Sequence, residues 1–373
     1  MQQCTLLSVV NSAVHVALDG IYFIFLIMDR RSALKKLIIT PLMIPSLTAF
    51  AQDRSDVPLH HGENGFVNTD PDFAEAGFSE MAPWILKKLP QTFSSGDKVD
   101  IPREYNDGVL LKGNKPYTVT WIGHSTVLIQ MEGMTFLTDP VWSSRVGPFK
   151  WTGSARVSEP GLDIDKLPPI DFILISHNHY DHLDESSIED IVDKNPKVKF
   201  FVPLRVRDWF EERGIHNVEE LDWWEGATVN GLKIVCTPAQ HFSGRWLNDK
   251  NQTLWCSWTV LGKKRLFFTG DSGYCSHFKN IGKKFGPFDL ALIPIGAYEP
   301  RKLMKPVHMD PEEAVQTCID LRAKKMLGIH WGTFVLTDEP MDEPPKKMFE
   351  VVAQLNLTKD DFWASKLGET KEW

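Results

Sequence analysis

The chain is poor in cysteine, and its few cysteines show no paired spacing. There are five in 373 residues, whereas a disulfide framework has an even number at regular intervals. The body of the chain also lacks a lysine- or arginine-rich tract, an internal repeat and a low-complexity segment. These absences exclude a disulfide-built scaffold and a repeat array. Buried, reduced thiols are expected at Cys4, Cys236, Cys256, Cys275 and Cys318.

Acidic residues outnumber basic residues, 49 to 41. The formal net charge is −8 at pH 7, whereas a nucleic-acid-binding protein usually carries a basic face. The composition therefore disfavours nucleic acid as a partner. With 42% hydrophobic residues, the chain is long and apolar enough to form one large domain.

The segment His177–His182, with the sequence HNHYDH, is the most informative stretch. It follows the apolar run Phe172–Ile175, which is typical of a buried strand. Three imidazoles and one carboxylate are good ligands for zinc or another borderline divalent ion. The alternative is a fortuitous polar loop, but 12 histidines in 373 residues would seldom place three in one such window. The segment therefore predicts a metal site at the end of a strand.

Four other apolar runs lead to an aspartate or a histidine. They are Met134–Thr138 before Asp139, Leu232–Cys236 before His241, Arg265–Thr269 before Asp271, and Met326–Ile329 before His330. If all these ends lie on one edge of packed sheets, seven ligand candidates converge, too many for one tetrahedral ion but enough for two. The seven are His177, His179, Asp181, His182, His241, Asp271 and His330.

The order of these groups resembles that of the metallo-β-lactamase superfamily. The resemblance implies an α/β fold, a four-layer αββα sandwich with two metal ions along one edge. It places His177, His179 and His241 on one ion and Asp181, His182 and His330 on the other, with Asp271 bridging them. No cysteine takes a ligand position, so two zinc ions are expected, with manganese or iron as alternatives.

Longer blocks resemble the N-acylphosphatidylethanolamine-hydrolysing phospholipase D family, from Asn68 to the C-terminus. The resemblance implies a phosphodiesterase that hydrolyses such phospholipids, at a membrane surface, to phosphatidic acid and an N-acylethanolamine. No nucleic-acid partner is expected from the acidic net charge, and a homodimer is left open. The blocks are Ile175–Asp184, Glu220–Glu225, Thr237–His241, Gly286–Leu290, Pro294–Arg301, His308–Val315 and Ile329–Phe334.

Three carboxylates are the candidate catalytic groups: Asp139, Asp181 and Asp271. Two ions about 3.5–4 Å apart clamp a phosphate, and a water that bridges them loses a proton and can attack phosphorus. The leaving alkoxide needs a proton, which a nearby carboxyl group could carry. Asp139 is expected to orient a ligand histidine or the nucleophile and not to bind metal strongly itself.

Substrate contacts are less well defined by the sequence. Tyr180, His308, Arg301 and His124 are the candidates, and Arg245 is a second possible cation for the phosphate. Each has a plainer alternative as a turn histidine, a rim aromatic or a surface charge. The rival functions are another hydrolase of the same fold, such as a sugar-phosphate lactonase or other phosphodiesterase, and a non-catalytic lipid-binding relative. The complete ligand set disfavours the non-catalytic alternative.

Residues 1–51 are predicted to be a leader. From Met28 onward, Arg30–Arg31, a short apolar stretch and the site Ala49–Ala51 form a twin-arginine type of signal. The mature protein would be exported, and periplasmic or membrane-associated. A retained anchor over Leu6–Met28 and a cytoplasmic location are the alternatives.

The mature chain divides into two predicted regions. Residues 52–116 would form a linker and an N-terminal arm, and residues 117–373 the hydrolase domain. Within the arm, Phe66–Leu89 is rich in spaced apolar residues. Core packing is the default for such residues, and the alternative is an apolar patch that contacts lipid.

Overall fold

The structure, a computed structural model, describes residues 14–18, 21–25, 57–94, 98–112, 117–246 and 248–373. The predicted signal from Met28 to Ala51 lies outside these residues, as does Cys4. Over the described ranges, no helix has the length and apolarity needed to cross a bilayer. The other four cysteines are free and buried, as expected from their spacing.

The N-terminal part contains short elements. Two hairpins are formed by β1 (Val14–Leu18) with β2 (Ile21–Phe25) and by β3 (His61–Gly62) with β4 (Gly65–Phe66). Helix α1 (Phe78–Lys88) follows, and 3-10 turns span Leu89–Phe93 and Leu110–Lys112. The apolar side chains Phe66, Trp84 and Ile85 are buried. The default expectation of core packing is therefore confirmed for these three residues.

The chain then builds most of a first sheet and its outer helices. The strands are β5 (Tyr117–Gly123), β6 (Thr126–Met131), β7 (Met134–Thr138), β8 (Arg145–Val146), β9 (Ser154–Ala155), β10 (Phe172–Leu174), β11 (Lys199–Pro203) and β12 (Val218–Leu221). The helices are α2 (Glu185–Lys194) and α3 (Arg207–Glu211), with a 3-10 turn at Ile164–Lys166.

A second sheet follows, and the last strand returns to the first. The strands are β13 (Gly226–Val229), β14 (Leu232–Thr237), β15 (Ser257–Leu261), β16 (Arg265–Phe268), β17 (Leu290–Pro294), β18 (Met326–Ile329), β19 (Phe362–Trp363) and β20 (Thr370–Glu372). The helices are α4 (His277–Phe285), α5 (Arg301–Met304), α6 (Pro311–Asp320) and α7 (Glu343–Gln354), with a 3-10 turn at Lys359–Asp361.

The two sheets have the same pattern of strand directions. The first runs β12-β11-β10-β7-β6-β5-β20 and the second β13-β14-β15-β16-β17-β18-β19. In each sheet, three antiparallel pairings at one end give way to three parallel pairings at the other. Short turns join β5, β6 and β7, and α-helical crossovers join five of the six parallel pairs, so this order follows the chain closely.

Strand β10 shows how the layers form. Successive side chains of a strand point to opposite faces, so Phe172 and Leu174 join the core between the sheets. Ile173 faces outward and packs in a second core with Ile188 of α2 and Phe210 of α3. Helices α6 and α7 contribute to the core on the second sheet. The order helices, sheet, sheet, helices is the predicted αββα sandwich, and that prediction is confirmed.

Local sequence also explains the start of α6. Asp310 caps the helix by accepting a hydrogen bond from the Glu313 amide at 2.9 Å, and Pro311 occupies the first turn. Proline at this position sacrifices no helical hydrogen bond, and acidic groups favour the positive end of the helix dipole. The residue types at Asp310–Glu313 therefore account for the start of α6 at this point.

Candidate metal centre

The first group of ligands combines the loop after β10 with the loop after β14. The Nε2 atom of His177 lies 2.8 Å from Nδ1 of His179, and Nε2 of His241 lies 3.3 Å from that same nitrogen. All three side chains are buried. Three imidazole nitrogens thus face one point, as a set of ligands on one ion requires.

The second group centres on Asp271, which follows β16. Its Oδ2 atom lies 3.1 Å from Nε2 of His182 and 3.1 Å from Nε2 of His330. Asp181 Oδ2 is 3.4 Å from the same nitrogen of His182 and 3.8 Å from that of His330. The Asp271 Oδ2 atom is also 3.9 Å from Nε2 of His241, so one carboxylate oxygen faces both groups.

The donor atoms fit divalent ions because several are buried without a hydrogen bond. Nε2 of His182, Nε2 of His330 and Oδ1 of Asp271 have no hydrogen bond in the part of the chain that the structure describes. A buried polar atom without a partner costs about 1–3 kcal/mol. Nitrogen and oxygen donors left open in this way match a pair of ions such as zinc, manganese or iron.

The electrostatics of the two groups differ. Burial holds the pKa of His177 well below its ordinary value and lowers those of His179 and His241 to about 3. Burial acts in the same direction on His182 and His330. The charges of Asp271 and Asp181 outweigh it, raising the pKa of His330 to about 9 and that of His182 well above its ordinary value. Without metal, protonated His182 and His330 balance the negative charges of Asp181 and Asp271. Bound metal ions would replace these protons.

Asp139, directly after β7, is linked to both ligand groups, to His182 directly and to His177 through Ser176. It is fully buried, and its Oδ2 atom accepts a hydrogen bond from Nδ1 of His182 at 2.6 Å. It also accepts from the backbone and the hydroxyl of Ser176, at 2.7 and 2.5 Å. The Ser176 hydroxyl oxygen lies 2.9 Å from Nδ1 of His177. With Nδ1 protonated in both histidines, Nε2 is left free to bind metal.

Asn68 of the N-terminal arm is a supporting residue that the sequence did not reveal. Its side-chain amide donates to the carbonyl of His241 at 2.8 Å, and its oxygen accepts from the His241 amide at 3.1 Å. The imidazole Nδ1 of His241 meanwhile lies 2.9 Å from the carbonyl oxygen of Val307. Backbone and ring of this ligand are thus both held by groups outside its own strand.

His124, in the turn between β5 and β6, takes a positioning role. Its Nε2 atom lies 2.8 Å from Oδ2 of Asp181, and burial lowers the pKa of His124 to about 3. A neutral ring can donate one N–H to this carboxylate and so fix its orientation. The backbone conformations of His124, Asp139 and His330 are left-handed, with φ of 52°, 32° and 61°. Such strain gathers at functional sites.

The other predicted substrate contacts fall into two places. His308 is buried beside the centre, and its Nδ1 atom lies 3.9 Å from Asp271 Oδ2. Among the described residues, this nitrogen has no hydrogen-bond partner. The Tyr180 hydroxyl donates to the carbonyl of Arg245 at 2.8 Å, and the Arg245 guanidinium lies over the Tyr180 ring. These two residues are at the outer side of the ligand loop.

The two arginines serve as supports in this structure. Arg245 donates to the carbonyls of Asn178 and Leu183 and so braces the ligand loop. Arg301 donates to the His308 carbonyl at 2.9 Å and to Glu313 at 2.6 Å. The expectation of a phosphate-binding cation does not match this conformation, because carboxylate and carbonyl oxygens already occupy these guanidinium groups.

The fold and the centre define a class of protein, which the comparisons with known proteins identify. A family described as the beta-lactamase superfamily domain matches residues 134–331. Igni18, a metallo hydrolase from Ignicoccus hospitalis, superposes with a TM-score of 0.54 at 21% identity, over 69% of this chain and 98% of that one. The chain is a metal-dependent hydrolase with the metallo-β-lactamase fold.

Two relatives narrow the assignment. N-acyl-phosphatidylethanolamine-hydrolyzing phospholipase D 1 of Caenorhabditis elegans is 44% identical over 266 residues, 68% of this chain and 75% of that protein. The mitochondrial enzyme of the same name from Saccharomyces cerevisiae is 38% identical over 332 residues, 86% of this chain and 70% of that protein. The chain belongs to the N-acylphosphatidylethanolamine-hydrolysing phospholipase D family, as its sequence blocks predicted.

Proposed function

We propose that the protein is a two-metal phosphodiesterase of the phospholipase D type. Its substrate would be an N-acylphosphatidylethanolamine-like phospholipid, and its products phosphatidic acid and an N-acylethanolamine. The observation that carries the proposal is the Asp271 oxygen that faces both ligand groups, 3.1 Å from His330 and 3.9 Å from His241. The names of the two relatives supply the substrate class.

The ligand groups would hold one ion each. His177, His179 and His241 would bind the first, Asp181, His182 and His330 the second, and Asp271 both. Zinc suits these nitrogen and oxygen donors best, with manganese and iron as alternatives. Two such ions supply Lewis acidity toward the phosphoryl oxygens and make water acidic enough to act as a nucleophile near neutral pH.

The chain itself would orient the reacting groups. Asp139 holds His182 directly and His177 through Ser176, which fixes the direction of their free nitrogens. His308, neutral because burial lowers its pKa to about 3, can donate one N–H to a phosphoryl oxygen. Asp181 is the candidate ligand carboxylate that is hydrogen-bonded to His124, a residue outside the ligand set. It would direct a proton to the alkoxide oxygen of the leaving alcohol.

A membrane surface is the proposed place of action, and an aromatic rim supports it. We define the aromatic rim as Phe93, Phe149, Trp151 and Trp246, which are 43–63% exposed. Phe149 and Trp151 are stacked, with ring centroids 5.5 Å apart, and both line an open groove of about 680 Å³ that also contains Tyr180. Exposed aromatic clusters mark membrane or partner contacts, and tryptophan favours the headgroup level.

Vesicle binding tests the aromatic rim. Trp151→Ala should weaken binding to phospholipid vesicles about tenfold or more, because burying one large apolar side chain contributes roughly 1.5–3 kcal/mol. Turnover of a short-chain, monodisperse substrate should change little. Trp224→Ala is the matched control, since Trp224 is also exposed, at 38%, but lies outside the rim. Equal vesicle binding by Trp151→Ala and wild type would contradict the proposal.

The position of the cut tests the chemistry. Hydrolysis in oxygen-18 water should label the phosphatidic acid and leave the N-acylethanolamine unlabelled, because metal ions stabilise charge on phosphoryl oxygens and not displacement at carbon. Dilute ethanol should not yield phosphatidylethanol, because no phosphoryl-enzyme is available to be intercepted. Substantial phosphatidylethanol would count against direct hydrolysis. A failure to cleave any phospholipid would favour another hydrolase, such as a lactonase.

Export and oligomeric state belong to the same proposal. The twin-arginine signal predicted from Met28 would take the protein to the periplasm or to a membrane, with a cytoplasmic location as the alternative. A homodimer is the proposed oligomeric state. Ultracentrifugation of the mature protein would read the oligomeric state directly.

A further inference from the structure

A second cluster of metal-binding side chains lies outside the catalytic centre, where the N-terminal arm meets the first sheet. Nε2 of His60 lies 2.6 Å from Oδ1 of Asp222, and Nε2 of His61 lies 2.8 Å from Oδ2 of the same carboxylate. His60 and His61 stand at the start of the β3–β4 hairpin, and Asp222 directly follows β12. None of the three is a ligand of the catalytic groups.

The cluster is held rigidly. The side chains of His60 and Asp222 are only 7% and 13% exposed, and that of His61 is 30% exposed. The His60 ring stacks on Trp223 at 4.3 Å between centroids. The Trp223 amide donates to Asp222 Oδ1 at 2.7 Å. Three protein ligands with one solvent-facing side leave room for a water molecule as the fourth ligand of a tetrahedral ion.

We propose that His60, His61 and Asp222 form a third divalent-metal site, with zinc as its best-matched ion. Two histidines and one carboxylate are a common ligand set, and their donor atoms all lie within 4.8 Å of one another. Each observed contact has the length of a hydrogen bond, so each Nε2 carries a proton that a metal must displace. The ligand atoms must also separate to about 3.3 Å, the spacing set by zinc–nitrogen bonds near 2.1 Å.

A metal ion at this point would fasten the arm to the catalytic domain. His60 is paired by its backbone with Val67, whose amide donates to the His60 carbonyl at 2.9 Å. The next residue, Asn68, holds the backbone of the catalytic ligand His241 from both sides. The third site is therefore connected to the ligands of the first catalytic ion in three steps. These are the hydrogen bond between His60 and Val67, the peptide bond from Val67 to Asn68, and the hydrogen bonds between Asn68 and His241. The third site would be structural, and its occupancy would stabilise the position of His241.

Counting bound metal tests the inference in the full-length protein. Zinc titration of the metal-free wild type should saturate at three equivalents, and His61→Ala and Asp222→Asn should saturate at two. His216→Ala is the matched control, because His216 is an exposed histidine at the opposite end of β12 from Asp222, and it should keep three. His177→Ala should lose a catalytic ion and keep the third site. Three equivalents in His61→Ala, or two in wild type, would overturn the inference.

Amide hydrogen exchange gives a readout that does not depend on turnover. The third equivalent of zinc should slow exchange in residues 57–70 of the wild type and leave that segment unchanged in His61→Ala. His61 is the most exposed of the three side chains, so this variant should retain the fold. Equal protection of the segment in both proteins would show that the arm is held by hydrogen bonds alone.

Discussion

Replacing Asp139 by asparagine changes a buried charge behind both ligand groups and almost nothing in volume. The carboxylate is fully buried. One of its oxygens accepts the Ser176 amide at 2.7 Å, and the other accepts Nδ1–H of His182 at 2.6 Å and the Ser176 hydroxyl at 2.5 Å. An asparagine side chain has one acceptor oxygen. Whichever way it turns, its NH₂ group faces an N–H donor.

The size of the effect follows from that mismatch. A buried donor without an acceptor costs about 1–3 kcal/mol, which corresponds to roughly 5- to 150-fold in an equilibrium or rate. This agrees with the roughly 10–100-fold typical of residues that orient metal ligands. We expect Asp139→Asn to lower turnover within that range. Metal content at saturating zinc should stay near two catalytic equivalents, because no ligand is removed.

The assay compares turnover, metal content and thermal stability in the same preparations. Ser176→Ala is the matched control, since it removes one hydroxyl and leaves the pairing of Asp139 with His182 intact. It should affect turnover less than Asp139→Asn does. Wild-type turnover in Asp139→Asn would refute the positioning role, and loss of both ions would make Asp139 a ligand.

Three further predictions concern the metal ions, the arm and the leader. His177→Ala and His330→Ala should each lose about one equivalent of metal together with activity, and full activity in either would refute the ligand assignment. Asn68→Ala should weaken the binding of the first ion by tenfold or more, because the buried amide and carbonyl of His241 lose their partners at a cost of about 1–3 kcal/mol. Metal competition with a chromophoric chelator measures this affinity. N-terminal sequencing of the exported protein should begin at Gln52, and lysines in place of Arg30–Arg31 should trap the precursor inside the cell.

The ligand set could be predicted because each ligand is local to its strand. His330 is the residue directly after β18, and Asp271 lies three residues after β16; an apolar run shows where each strand ends. Parallel strands then bring their carboxyl ends to one edge. The resemblance to the metallo-β-lactamase superfamily supplied the division of the ligands into two groups. None of these steps required knowledge of contacts between distant segments.

The supporting contacts depend on such long-range packing and could not be predicted from the sequence. Asn68 and His241 are 173 residues apart in the chain, and no pattern around Asn68 marks it as a neighbour of the metal centre. The sequence shows that Arg301 is a cation but not that Glu313 and a carbonyl already occupy it. Similarly, hydrophobic spacing predicts an apolar arm. It cannot tell that Trp84 of the arm is buried, nor that Trp151 of the hydrolase domain is exposed.

The metal centre also explains how its strained backbone is tolerated. His177 and His182 come from the first sheet, whereas His241, Asp271 and His330 come from the second, so neither sheet holds a complete ligand set for either ion. Ions that bind would cross-link the two sheets, and their binding free energy would add to the free energy of folding. The left-handed φ values of His124, Asp139 and His330 cost about 1–3 kcal/mol each. The buried donor atoms that lack a hydrogen bond add to that cost, and the binding of metal ions would offset both.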